Sequence, residues 1–232
     1  MLNHHPLMRW LIGYEAQRKR MLARAPKGPL HDFLSVPFPL LYTPVDQIPI
    51  LAVDFETTGL DAIQDKLLSV GCVELIQRQI KIGTSYHQII QTQGSLKADN
   101  VTIHQITDDQ KDQGKPLAEV VAALLKMLAG KVMLVHFARI ERQFLQQACI
   151  ELYGMAPVFP IIDTLVIAKK KLDKRDVAYD PSELRLSALR AKYLLPSHYA
   201  HNALNDAIAT AELLLAQTSK KNEDLTLQQL IL

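Results

Sequence analysis

From residue 50 onward the apolar residues change their spacing in a set order, and that order limits the folds open to the chain. Residues 50–55 read as a buried strand. Residues 67–76 and 79–90 read as two longer strands joined by a tight turn at Gln77-Arg78. Behind them Pro116 opens a helix whose Val120, Val121, Leu124, Leu125 and Leu128 follow the 3.6-residue period until Gly130 stops it. A short buried strand at 131–135, a helix at 138–150 and a brief fifth strand at Ile161-Ile162 follow. Residues 164–172, 184–193 and 203–217 are helical by the same criteria. Strands first, then strands alternating with helices, imply an α/β fold with a mixed five-stranded sheet flanked by helices.

The chain divides near residue 48. Seven of the twelve prolines (Pro6, Pro26, Pro29, Pro37, Pro39, Pro44, Pro49) lie in the first 49 residues and disfavour regular structure after about residue 25. Residues 8–24 read as one helix ending in a basic cluster, and Phe33, Leu34, Val36, Phe38, Leu40 and Leu41 as an extended arm. That arm is too apolar for a disordered tail and is expected to lie against the domain or a protein partner. The expected organisation is an N-terminal helix and proline-rich arm (1–48), one main domain (49–220) and a C-terminal tail (221–232). With 232 residues, 48% of them hydrophobic, the chain can bury a full core without disulfides. Cys72 and Cys149 stand far apart in apolar contexts, which favours a reducing, cytoplasmic address. The longest apolar region is broken by Lys126 and Lys131, so no membrane span is expected. A formal charge of +2 is too small to indicate nucleic acid by itself.

The chemistry begins at the end of the first strand. Asp54 and Glu56 are two residues apart, so a strand projects both to the same side. Like charges held together there repel, and persist most readily with divalent cations between them. Glu141 shares a helical face with Phe144, Leu145 and Ala148, which turns a carboxylate toward the core, where it needs a partner. Asp206 shares a face with Ala203, Ala209 and Leu213. His201, five residues earlier, would be rotated away by a continuous helix. If Asn202 caps that helix, the histidine belongs to the preceding loop and can reach over a site that Asp206 helps build.

Together these residues resemble the DEDDh group of 3′-5′ exonucleases, of the RNase H-like superfamily, over about residues 50–217. The first motif matches as D-F-E-T-T-G-L-D from Asp54, and the third as H-N-A-L-N-D from His201 to Asp206. Ile103-His104-Gln105-Ile106-Thr107 and Asp163-Thr164-Leu165 look like lesser signatures. The middle motif departs: where the family has H-N-x-x-F-D, this chain has His136-Phe137-Ala138-Arg139-Ile140-Glu141. Glutamate keeps the charge on an arm one methylene longer, and with Asp54, Glu56, His201 and Asp206 intact it reads as a tolerated variant.

The resemblance implies hydrolysis assisted by two divalent ions, Mg²⁺ or Mn²⁺, about 4 Å apart. Asp54 would bridge both, Glu56 and Asp206 would complete one shell, and Glu141 would act on the second. His201 would take the proton from the attacking water. The expected substrate is a single-stranded DNA or RNA 3′ end, contacted by Phe55, Thr57, Thr58, Gly59, Leu60, His104 and Phe137. For Phe55 and Leu60 plain core packing is the equal alternative. The basic run Lys169-Lys170-Lys171 with Lys174 and Arg175 either tracks a backbone or is an ordinary helix end. Two rival functions share the fold: a non-catalytic nucleic-acid-binding module, and a phosphodiesterase for short oligonucleotides.

Overall fold

Side-chain alternation along one central strand splits the interior into two layers, and the strand's last carboxylates inherit that division. The structure is a computed structural model, and residues 13–92, 106–174, 178–219 and 225–232 are described. Strands β1 (Ile50–Thr57), β2 (Leu67–Ile76), β3 (Gln79–Ile89), β4 (Val132–Val135) and β5 (Ile161–Asp163) form one sheet in the order β3-β2-β1-β4-β5. The first three pair antiparallel, whereas β4 runs parallel to both β1 and β5. The sheet is mixed, as the element order requires. Gln77 and Arg78, with φ of 50° and 59°, make the left-handed two-residue turn whose twist matches an antiparallel hairpin.

Helices α1 (Tyr14–Leu22), α2 (Pro29–Ser35), α3 (Asp108–Asp112), α4 (Leu117–Leu128), α5 (Arg139–Tyr153), α6 (Thr164–Asp173), α7 (Leu186–Lys192) and α8 (Ala203–Thr218) surround it. Leu51, Val53 and Phe55 face one layer, built from α2, α4 and α5 with Phe33, Leu124 and Phe144. Ile50 and Ala52 face the other, with Ala207, Ala211 and Leu214 of α8. Asp54 and Glu56 continue this second face.

The chain's two ends close the layers. Part of the expected extended arm is helical: Pro29 stands at the first position of α2, where a missing N–H costs nothing, so the proline density misled the reading. The arm lies against the domain, with Leu30, Phe33, Leu34 and Phe38 at most 4% exposed. At the other end Leu225, Leu227 and Leu230 enter the α8 layer, and the Leu232 amide donates to Ile161 O at 3.0 Å, covering the β5 edge. Arm and tail therefore share the main core. Residues 8–12 of the expected first helix lie outside the described residues. Among the described residues, no helix is long and apolar enough to cross a membrane.

Candidate active site

The site stands at the carboxyl ends of β1 and β4, where chain reversals leave side chains facing outward from the sheet. Asp54 pairs across β1 and β2 with Gly71. A Cβ at Gly71 would lie 2.1 Å from the backbone of Ala203 and Leu204, so the first turn of α8 rests directly on the bare glycine. That close approach carries Asp206 to β1. Carboxylate oxygens of Asp54, Glu56 and Asp206 lie within 4.8 Å of one another. At that separation each pair of charges repels by roughly 3 kcal/mol at an effective dielectric of about 20. Burial first, then the charges of Glu141, Asp206 and Glu56, push the Asp54 carboxyl well above the usual range.

Glu141 approaches from the opposite layer. It lies in the first turn of α5 and is 3% exposed; its Oε2 has no hydrogen-bond partner among the described residues. Burial, reinforced by the charges of Asp163 and Glu56, holds its carboxyl well above normal. The turn entering α5 is fixed by Asp163, a buried carboxylate that accepts from the backbone N–H of Phe137 at 3.1 Å, Ala138 at 2.8 Å and Leu165 at 2.8 Å. Asp163 thus anchors the starts of α5 and α6 together and holds Phe137 at φ 75°. His136 is tied down on both nitrogens: Nε2 donates to Leu184 O at 3.0 Å, and Nδ1 lies 2.8 Å from Thr164 Oγ1. Burial lowers its pKa.

The histidine of the third motif does precede its helix. Asn202 caps α8, its side chain accepting from the Asn205 amide at 3.2 Å, and His201 lies in the loop at φ 64° with its side chain exposed. Its backbone N–H donates to Asp206 Oδ2 at 2.9 Å. Asp206 Oδ1 is held by a residue that sequence reasoning missed, His198, through Nε2 at 2.8 Å. The loop itself is pinned by buried Arg190, which donates to Pro196 O at 2.9 Å and Ala209 O at 2.8 Å and pairs with Glu212 at 2.7 Å. No spacing rule points to His198, which reaches Asp206 only through this loop. Gly71 was missed as well, although an isolated glycine within a strand is the signal of a close backbone approach.

The residues expected to contact substrate divide. Leu60 is 70% and Phe137 43% exposed. Phe55 is 6% exposed and belongs to the α4 and α5 layer, so its expected contact with a base is corrected to core packing. Thr57, Thr58 and Gly59 shape the loop. Thr57 donates to Gly59 O at 2.7 Å, Thr58 to Asp65 Oδ1 at 3.1 Å, and Gly59 lies against the Asp65 carboxylate. His104 and Arg175 lie outside the described residues. In the basic run, Lys171 binds Tyr193 OH at 2.8 Å and Gln217 O at 3.1 Å, and Lys169 pairs with Asp173, so both have structural partners.

The donors suit hard divalent cations: three carboxylates from two elements, β1 and α8, with neither thiolate nor imidazole among the described cluster members. Glu141 adds a fourth carboxyl group, one oxygen of which has no hydrogen-bond partner among the described residues.

Comparison with known proteins agrees with this geometry. The exonuclease family of the RNase T type matches residues 51–214. The chain is 30% identical over 165 residues to a PolC-type DNA polymerase III of Thermotoga petrophila, covering 71% of itself but 11% of that protein. It is 26% identical over 181 residues to the DNA polymerase III subunit epsilon of Treponema pallidum, covering 76% of itself and 81% of that subunit. Among solved structures, the nuclease domain of 3'hExo, a DEDDh family member bound to rAMP, superposes with a TM-score of 0.65 at 16% identity, covering 79% of this chain and 97% of that one. Cell-death related nuclease 4 gives 0.67 at 16% identity, covering 79% and 67%. At that identity the structural likeness is one of fold. The chain belongs to the exonuclease family.

Proposed function

We propose that this protein is a divalent-metal-dependent 3′-5′ exonuclease that shortens single-stranded DNA or RNA from the 3′ end and releases nucleoside monophosphates. The observation that carries this reading is the convergence of Asp54, Glu56 and Asp206 within 4.8 Å, with Glu141 near enough for its charge to act on Asp54. Asp54, Glu56 and Asp206 would hold one cation directly, and Asp54 with Glu141 would serve a second. Mg²⁺ or Mn²⁺ bound there supplies charge neutralisation for attack on a phosphodiester near neutral pH.

His201, exposed in the loop before α8, takes the proton of the attacking water as general base. Phe137 and Leu60 offer apolar surface to the terminal base and sugar, which favours an unpaired end because a stacked base pair hides those faces. The names of similar proteins support the substrate class: one solved exonuclease I is in complex with a dA16 oligonucleotide, and 3'hExo with rAMP.

The test uses DNA and RNA single strands of several lengths, labelled at either end, with Mg²⁺, Mn²⁺ or chelator. Stepwise shortening of 5′-labelled strands and release of labelled mononucleotide from 3′-labelled ones is expected with metal only. Binding without metal-dependent cleavage would instead identify a binding module. Activity that vanishes as strands lengthen would identify a short-oligonucleotide phosphodiesterase.

A further inference from the structure

We infer that His198 is a positioning residue for the cation site, orienting the Asp206 carboxylate from behind; this rests on the reading of Asp206 as a metal ligand. Asp206 stands in the first turn of α8, and both its oxygens are engaged by one loop: Oδ2 by the His201 amide at 2.9 Å, Oδ1 by His198 Nε2 at 2.8 Å. A carboxylate only accepts, so Nε2 carries the hydrogen. Each oxygen keeps a further lone pair for a cation, and the two hydrogen bonds fix the plane in which those lone pairs lie.

His198 is not a passing surface side chain. It is 12% exposed against an Asp206 that is 13% exposed, and its loop is held by the Arg190 bond to Pro196 O and the Leu195 amide bond to Arg190 O at 3.1 Å. The same bracket controls where His201 leaves the loop, because the amide that binds Oδ2 belongs to His201. One loop therefore sets both the ligand's orientation and the origin of the candidate base.

Mn²⁺ titration of the full chain without nucleic acid, read by electron paramagnetic resonance, tests this independently of turnover. H198A is expected to weaken Mn²⁺ binding by about 10- to 100-fold, the usual cost of removing an outer partner of a metal ligand. H198Q, which keeps an N–H at a similar reach, is expected to restore most of it. H198L retains bulk without a donor and replaces H198A should that variant fail to fold. Unaltered Mn²⁺ affinity in H198A or H198L overturns the inference while leaving the metal site intact, as does equal weakening in H198Q and H198L. If the wild-type chain binds no Mn²⁺, the metal-site reading itself falls, and this inference with it.

Discussion

The two walls of the acidic site are fixed in opposite ways. On the α8 side, Asp206 accepts two hydrogen bonds at 2.8 and 2.9 Å from a pinned loop. On the α5 side, Glu141 is 3% exposed with one oxygen lacking a partner among the described residues. The first wall is organised by the protein alone. The second is a buried carboxyl group that keeps its proton unless a cation offsets its charge, so it reports sensitively on what the site holds.

The residue common to both walls carries the largest expected effect. Asp54→Ala removes the carboxylate beside Asp206, Glu56 and Glu141 and should reduce cleavage on the order of a thousandfold or more, ~4 kcal/mol in barrier, with unfolding little changed. An active variant would break the account of the site. Gly71→Ala drives a Cβ into the backbone of α8 and should cost about 1–3 kcal/mol of stability, measured by denaturant unfolding, while displacing Asp206 and lowering activity.

The walls themselves separate in metal-free protein. Glu141 has a folded pKa above its ordinary 4.5, so the folded state retains a proton that the unfolded chain releases. Stability should accordingly fall as pH rises from about 4.5 toward the folded pKa, and added Mg²⁺ or Mn²⁺ should restore it. Glu141→Gln should flatten that slope and stabilise metal-free protein at pH 8 by roughly 1–3 kcal/mol, read from denaturant unfolding. Asp206→Asn should do the reverse, because an amide group would meet the donors of His198 or His201. Equal behaviour of the two variants would erase the distinction between the walls.

Smaller effects sharpen the α5 side. Glu141→Asp should keep activity within about tenfold, ~1.4 kcal/mol in barrier, if the longer arm is merely accommodated. Phe137→Asn should stabilise the protein by about 1 kcal/mol, since asparagine tolerates φ 75° better than phenylalanine, while raising KM for oligonucleotides.

The same contrast governs how much was legible in the sequence. Asp54 and Glu56 were readable because strand periodicity alone sends both to one side, and Glu141 because helical spacing tied it to Phe144, Leu145 and Ala148, all buried beside it. The Asn202 cap was also readable, and it placed His201 in its loop. Loops follow no period, so the bond from His198 to Asp206 and the role of Arg190 were invisible. The short helix α2 was lost to its prolines, one of which starts it. Phe55 was left between base contact and core packing, although the same alternation sends its odd position to the face away from Asp54.

The claim on which the rest depends is that these carboxylates gather to hold divalent cations. Crystals soaked in Mn²⁺ and measured at the manganese absorption edge should show anomalous density among Asp54, Glu56 and Asp206, and such a peak should disappear in Asp54→Ala. Density absent from that cluster, with manganese bound elsewhere on the protein, would contradict it.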